Sequence, residues 1–168
     1  MKRRNYWVIA DTHFSHDKLV KSGYRKEGFE TRILANMGKV VKKDDIVIHL
    51  GDVSFYKHQY WHWLFTSFGC RSYLVKGNHD RQTNSWYLSN GWDFVADSFT
   101  LDIYGNKILF THVPAAEKGD FDVNCHGHLH NLHWREDSRK SFNCLVQIED
   151  TLAPVNLNSL IDNHAKNN

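Results

Sequence analysis

Polar residues that could do metal chemistry follow several apolar stretches of this chain. They form five clusters: Asp11-Thr12-His13, Gly51-Asp52, Gly77-Asn78-His79-Asp80, His112, and Gly127-His128-Leu129-His130. Carboxylate, imidazole and amide groups without thiolates suit divalent Mn, Fe, Co, Ni or Zn, and the sequence does not choose among these metals. The clusters therefore indicate a metal site built from oxygen and nitrogen ligands.

The spacing within two clusters supports this interpretation. In an extended backbone, residues two apart point the same way, so Asp11 and His13 are expected to address one point. The alternative is that Asp11 caps a turn and His13 lies on the surface. His128 and His130 would have Cα atoms about 6.6 Å apart if extended. Since two metals in hydrolases lie about 3.5–4 Å apart, each imidazole could reach one metal.

Structural interpretations remain open for several of these residues. The segment 77–80 could be a turn in which Asp80 caps a following helix. His49 lies inside a predicted strand, which favours a core or supporting role over a metal-binding one. A structural role is also favoured for His126. His16 is about equally compatible with substrate contact and with a supporting role.

Predicted strands precede the clusters and must bring them together. Strands are predicted at 6–10, 45–50, 70–75, 94–95, 99–103, 107–111 and 142–148, and helices at 30–43, 58–68, 83–89 and 156–164. The aromatic residues in 58–68 are expected mainly in the core, with nucleobase stacking as the alternative. Clusters that follow strand ends are expected at one edge of a sheet, where open α/β proteins bind ligands.

Bulk composition limits the class of protein. A chain of 168 residues with 41% hydrophobic residues is expected to form one domain, residues 1–168, with a sizeable core. A net charge of +2 is too small to argue for nucleic acid by itself. No apolar run approaches the ~20 residues of a membrane span. The three scattered cysteines predict reduced thiols and a cytoplasmic location.

Taken in order, the five clusters resemble the motifs of the calcineurin-like metallophosphoesterase superfamily. The resemblance covers residues 11–130, and the opening Asp-Thr-His-Phe-x-His together with the short length looks most like the small stand-alone bacterial and phage members. It implies an α/β fold, a four-layer α/β/β/α sandwich of two mixed sheets with helices outside. It also implies an open site, because the chain leaves no room for a cap domain.

The resemblance further implies two divalent metal ions, with Mn as the first candidate. Residues Asp11, His13 and His130 would hold one ion, residues Asn78, His112 and His128 the other, and Asp52 would bridge them. Two divalent ions carry four positive charges, from which two carboxylates and a bridging hydroxide subtract three. The remaining positive charge would attract a phosphate, and a carboxylate in place of Asn78 would cancel it.

The reaction implied by the resemblance is phosphoester hydrolysis, with Asp52 and His79 as catalytic residues. The metals would lower the pKa of a bridging water, which attacks phosphorus in line with the leaving oxygen. His79 would protonate the leaving group or stabilise charge, and His16, Asn78 and His79 would contact substrate. The chain departs from the phosphoprotein phosphatases of the superfamily at Val53 to Tyr56, where it lacks their orienting aspartate and phosphate-clamping arginine.

The expected partner is a phosphomonoester or phosphodiester, from a nucleotide or nucleic acid, and no membrane. The nucleic-acid expectation rests on the aromatic residues Phe14 and Trp134 and on basic residues at 135, 139 and 140, which equally suit a solvated hairpin. One alternative function is a non-catalytic metal-binding scaffold on the same fold. Another is a hydrolase with one metal per chain. The sequence predicts no oligomeric state.

Overall fold

The computed structural model describes residues 4–130 and 140–167. Its elements in chain order are β1 (Tyr6–Ile9), α1 (Asp17–Lys21), α2 (Phe29–Val40), β2 (Ile46–His49), α3 (His58–Thr66), β3 (Arg71–Val75), α4 (Asn84–Ser89), β4 (Phe94–Ala96), β5 (Ser98–Ile103), β6 (Asn106–Thr111), β7 (Val123–His126), β8 (Asn143–Leu145), β9 (Val155–Asn156) and α5 (Leu157–Asn167). Strand–helix alternation in the first half gives way to consecutive strands in the second, as predicted.

The strands form two mixed sheets. One has the order β4-β3-β2-β1-β9, with β1 to β4 parallel and β9 antiparallel to β1, and the other has the order β5-β6-β7-β8, with only the β5–β6 pair antiparallel. The β5–β6 hairpin turns at Tyr104 and Gly105, close to its predicted position. Two mixed sheets flanked by helices confirm the predicted fold class.

Alternate residues of the first sheet face two different cores. Val8 packs into the core between the sheets, where it meets Phe110, whereas its neighbour Ile9 packs with Phe29 on the helical side. Both faces of these strands are therefore buried, which explains why their sequences read as continuous apolar runs. Complete burial of a side chain such as Phe110 contributes about 1.5–3 kcal/mol.

The helices differ from the predictions mainly at their ends. Helix α2 buries Phe29, Ile33 and Met37 at helical spacing and ends at Val40, before the predicted position 43. Helix α1 was not predicted, because five residues are too few to show a period. Strand β8 occupies only three of the seven predicted residues. Among the described residues, no helix is long and apolar enough to cross a membrane.

Candidate metal centre

The segments that follow β1 and β2 remain hydrogen-bonded to each other beyond the strands. The Asp11 amide donates to the Gly51 carbonyl and the His13 amide to the Asp52 carbonyl, both at 3.0 Å. These bonds place the three polar side chains at one edge of the first sheet. The second sheet brings its own polar residues to the same place, because His112 directly follows β6 and β7 leads into residues 127–130.

The first candidate metal cluster consists of Asp11, His13 and His130. The Nε2 atoms of the two histidines lie 3.8 and 3.9 Å from Oδ1 of Asp11. This oxygen is buried and has no hydrogen-bond partner in the described structure, whereas Oδ2 accepts from the His128 amide at 2.8 Å. A buried carboxylate oxygen without a donor is costly, and a cation at this position would satisfy it.

The second candidate metal cluster consists of Asp52, His112 and His128, with Asn78 beside it. Nε2 of His112 lies 3.0 Å from Oδ1 of Asn78, 3.1 Å from Nδ1 of His128 and 3.4 Å from Oδ2 of Asp52. The Nδ1–H of His112 donates to the Leu50 carbonyl at 2.7 Å, so its Nε2 faces the site. Donors this close suit one shared ion, whose bonds to nitrogen and oxygen are about 2.0–2.2 Å.

Asp52 connects the two clusters. Its Oδ2 lies 3.7 Å from Nε2 of His13 in the first cluster and 3.4 Å from Nε2 of His112 in the second. Burial alone would raise the pKa of Asp52, but the hydrogen bond and positive charge of His112 outweigh it and hold the pKa below its usual value. Asp52 is therefore an anionic group placed to touch ions in both clusters.

The pKa values of other candidate ligands are also shifted from their usual values. Burial raises the pKa of Asp11 to about 7 and lowers the pKa of His13 to about 3. Burial would also lower the pKa of His112, but its hydrogen bond to Asp52 raises it to about 9. Without metal, both Asp11 and His112 therefore hold a proton more readily than they would in water. The oxygen and nitrogen donors present fit divalent metal ions.

Five of the candidate ligands have a left-handed backbone. Their φ angles lie between 48° and 66°, at Asp11, His13, Asp52, His128 and His130. This corrects the premise that residues 11–13 and 128–130 are extended. The predicted grouping nevertheless holds, because Asp11 and His13 share one cluster while His128 and His130 belong to different clusters. Left-handed backbone at residues other than glycine is strained, and such strain is concentrated at functional sites.

Close approach of two loops explains the glycine at 77. A Cβ atom on Gly77 would lie 2.2 Å from Oδ1 of Asp52, far inside van der Waals contact. Only glycine lets the loop after β3 approach the Asp52 carboxylate this closely. The same approach lets the His79 amide donate to Oδ1 of Asp52 at 2.9 Å.

The helix-capping role predicted for Asp80 is wrong. Thr83 caps α4 instead, since its hydroxyl accepts from the Trp86 amide. The buried Asp80 carboxylate accepts from the amides of Asp52 at 2.7 Å, Val53 at 3.2 Å and Gly77 at 2.9 Å. Asp80 therefore ties the loop after β2 to the loop after β3.

Sequence reasoning missed a supporting pair, Glu149 and Arg25. Oε1 of Glu149 accepts from Nδ1 of His130 at 2.8 Å and from the Arg25 guanidinium at 3.0 Å. Arg25 is buried and also donates to the carbonyls of Asp11 and Thr12, both at 2.7 Å. Glu149 directly follows the predicted strand 142–148, the same strand-end position as the other clusters, and this signal could have identified it. No comparable signal marks Arg25, which lies in a loop.

His79 and His16 lie at the open side of the centre. Nε2 of His79 is 3.9 Å from Oδ2 of Asp52, and its side chain is 31% exposed. The His16 ring is half-buried and lies 5.4 Å from the His13 ring and 4.0 Å from the Phe55 ring, parallel to the latter. Both histidines are therefore close enough to the clusters to meet a bound substrate.

Other sequence expectations have clear outcomes. His49 is fully buried with both ring nitrogens bonded, to the Gly51 amide and the Thr12 hydroxyl, which agrees with its structural role. His126 is also fully buried and outside both clusters. Phe14 was expected to stack on nucleobases, but it is fully buried against Trp61. The expectations on 134, 135 and 139 lie outside the described residues.

Two mixed sheets with paired aspartate–histidine clusters at a common edge are features of the metallo-dependent phosphatase fold. The chain belongs to the calcineurin-like phosphoesterase superfamily, because the model of the calcineurin-like phosphoesterase superfamily domain matches residues 5–147. The uncharacterized protein MJ1445 of Methanocaldococcus jannaschii is 26% identical over 177 aligned residues, which cover 96% of this chain and 92% of that protein.

A solved structure shows the same fold. The crystal structure of AQ665, a protein of unknown function from Aquifex aeolicus, matches with a TM-score of 0.80. The match covers 95% of this chain and 99% of that chain at 24% sequence identity. Nearly the whole architecture is therefore shared between two chains of low sequence similarity.

Proposed function

We propose that this protein is a phosphoesterase that uses two divalent metal ions, with Mn as the first candidate. The observation that supports this most directly is the position of Asp52, whose Oδ2 lies within 4 Å of a histidine nitrogen from each cluster. Such a carboxylate suits a bridge between two ions. Asp11, His13 and His130 would hold one ion, and Asn78, His112 and His128 the other.

Bound at these positions, the ions would supply an activated water at neutral pH and would withdraw charge from the phosphoryl oxygens. The chain itself contributes orientation. The Leu50 carbonyl fixes the ring of His112, and Glu149 fixes the ring of His130, so that each presents Nε2 to the centre. His79 lies at the open side and would donate a proton to the leaving oxygen or stabilise charge on the phosphoryl group.

The substrate would be a phosphomonoester or phosphodiester, and a nucleotide or nucleic acid stays our prediction for its source. Phe14 does not support that prediction, because it is buried. The residues at 134, 135 and 139 lie outside the described part of the chain. A cytoplasmic location also stays a prediction.

Metal content and hydrolysis test the proposal together. The purified chain is expected to bind about two Mn ions and to hydrolyse bis-(p-nitrophenyl) phosphate or the monoester, with activity lost on chelation and restored by Mn. Asp52→Asn should abolish activity and reduce the metal content. The matched control is Asp44→Asn, an exposed carboxylate outside the centre, which should leave both unchanged.

The outcomes separate the three functions. Activity that survives chelation, or persists in Asp52→Asn, would contradict the proposal. One ion per chain with full activity would indicate a mononuclear hydrolase. Bound metal without hydrolysis of any phosphoester would favour the scaffold.

A further inference from the structure

A pocket of about 340 Å³ opens beside His79. Its walls come from the loop after β2, the start of α3 and the loop after β3, and its lining residues are Ser54, Phe55, His58, His79, Arg81 and Gln82. None of these six residues belongs to a candidate metal cluster. A volume of this size is in the range of small-molecule sites. The pocket is thus an extension of the centre on the side of the proposed proton donor.

One wall of the pocket is aromatic and held in place. The Phe55 ring is parallel to the His16 ring at 4.0 Å and tilted against the His79 ring at 4.8 Å. Tyr56 stands edge-on to Phe55, with ring centroids 5.6 Å apart, and 63% of the residue is exposed. Phe55 is half-buried, so its ring is held in place yet partly accessible, which suits contact with a flat ring such as a nucleobase.

The other distinctive residue of the pocket is Arg81, an exposed cation. Within the described residues it forms no ion pair. The sequence contains no carboxylate from 53 to 79 or from 81 to 92, so nothing on these segments neutralises it. The Asp80 carboxylate is buried and already accepts three backbone amides. The charge of Arg81 therefore remains available for an anion from outside, and its planar fork matches a phosphate.

We propose that this pocket binds the leaving group of the substrate, and that this leaving group is a nucleotide carrying a second phosphate. The inference rests on the proposed function, because His79 would protonate whatever leaves beside it. The base would pack against Phe55, and the second phosphate would pair with Arg81. Arg81 and Phe55 are then specificity-determining residues. A single-stranded nucleic acid and a dinucleotide polyphosphate both supply this chemistry.

The test compares two diesters that differ only in their terminal phosphates, so that the leaving group carries a second phosphate in one diester and none in the other, whichever side leaves. Thymidine dinucleotide and the same dinucleotide with phosphates at both ends are hydrolysed with Mn, and kcat/KM is measured for each. The wild type should prefer the phosphorylated form by about tenfold, the effect expected for one charge-assisted pair. Arg81→Gln should remove most of this preference. Lys57→Asn, which removes an exposed cation outside the pocket at a left-handed position that asparagine tolerates, should keep it.

Binding supplies a second measurement that does not depend on turnover. Thymidine 3′,5′-bisphosphate should bind the metal-free full chain more tightly than thymidine in calorimetric titrations, and Arg81→Gln should lose about tenfold in that affinity. Equal preference in Arg81→Gln and wild type, or no preference in wild type, would overturn the inference while leaving hydrolysis of bis-(p-nitrophenyl) phosphate intact. If the wild type does not hydrolyse bis-(p-nitrophenyl) phosphate at all, the proposed function itself is overturned.

The two sources of the leaving group are separated by substrate. Cleavage of a thymidine oligonucleotide with little action on diadenosine tetraphosphate would indicate a nucleic-acid strand. The reverse result would indicate a soluble dinucleotide. Sensitivity of the preferred substrate to Arg81→Gln supports the inference in either case, and insensitivity contradicts it.

Discussion

The Glu149 carboxylate accepts a hydrogen bond from Nδ1 of His130 at 2.8 Å while Arg25 binds the same oxygen at 3.0 Å. Burial alone would raise the pKa of Glu149, but the bond to His130 and the charge of Arg25 hold it at about 2. Glu149 is therefore anionic at neutral pH. It fixes the His130 tautomer whose Nε2 points to Asp11.

Removing this charge should weaken the first metal site. We expect Glu149→Gln to reduce affinity for one of the two ions by about 10–100-fold, the usual effect of losing a carboxylate behind a metal-binding histidine. Metal titration followed by calorimetry measures this. Asp150→Asn, an exposed carboxylate next in sequence, is the control and should bind both ions as wild type does. Equal losses in the two variants would contradict a specific role for Glu149.

Metal binding should release protons. In the metal-free chain the bond to Asp52 outweighs burial and raises the pKa of His112 to about 9, while burial raises the pKa of Asp11 to about 7. Burial would lower the pKa of His130, but its hydrogen bond to Glu149 raises it. All three side chains must be deprotonated to bind metal, so more protons should be released at pH 6 than at pH 8. Affinity should therefore increase with pH across this range.

Calorimetric titration with Mn in buffers of different ionisation enthalpy measures the proton count. The heat should change with the buffer, and the apparent affinity at pH 8 should exceed that at pH 6. A heat independent of the buffer at both pH values would show that the ligands are already deprotonated.

An added methyl group at Gly77 should displace Asp52. The new Cβ would lie 2.2 Å from Oδ1 of Asp52, so Gly77→Ala is expected to lower both metal content and hydrolysis by more than about tenfold. Gly38→Ala is the control, because its Cβ would make a single contact at 3.4 Å, inside α2. That variant should be equally active and slightly more stable, since alanine favours helix. Full metal loading of Gly77→Ala would show that the loops can separate without harm.

Asp45 should stabilise the fold away from the metal centre. Its carboxylate accepts from the Trp7 indole at 3.0 Å, the Lys42 amide at 3.0 Å and the Asn5 side chain at 3.1 Å. Burial alone would raise the pKa of Asp45, but these bonds outweigh it and lower the pKa. Asp45→Asn replaces an acceptor with a group that also donates, and we expect a loss of about 1–3 kcal/mol in the free energy of unfolding.

The pH dependence of this loss has a defined sign. Because the folded-state pKa of Asp45 is below the unfolded value, its contribution is complete above pH about 4 and disappears as the pH falls through the folded-state pKa. Urea unfolding at neutral pH and at low pH measures the difference between variant and wild type. Asp44→Asn, the exposed neighbour, is the control and should differ from wild type by less than about 0.5 kcal/mol. A difference that grows with acid would contradict the assignment.

Strand positions were predictable because local patterns determine them. Apolar runs such as Ile46–His49 end where a polar cluster begins, and parallel strands bring such ends to one edge. The grouping of His128 and His130 with different ions followed from the resemblance. Its geometric premise failed, because left-handed φ angles depend on contacts made by distant segments.

Roles that depend on distant partners were not predictable. Asp80 has the sequence of a helix cap, but its bonds run to amides 27 and 28 residues away. Phe14 was expected to stack on a nucleobase, yet Trp61 covers it. Glu149 lies 19 residues from His130 and 124 from Arg25, so no local pattern connects them.

The two clusters draw their members from both sheets, and this has a mechanical consequence. Asp11 and His13 follow β1 of one sheet, whereas His130 follows β7 of the other. In the second cluster, Asp52 follows β2 of the first sheet and His112 follows β6 of the second. Ions held here would cross-link the two sheets at the edge where the cluster residues follow the strands. Sliding or separation of the sheets would require release of the ions. At a free-ion concentration 100 times the dissociation constant, each ion would raise the free energy of unfolding by about 2.7 kcal/mol.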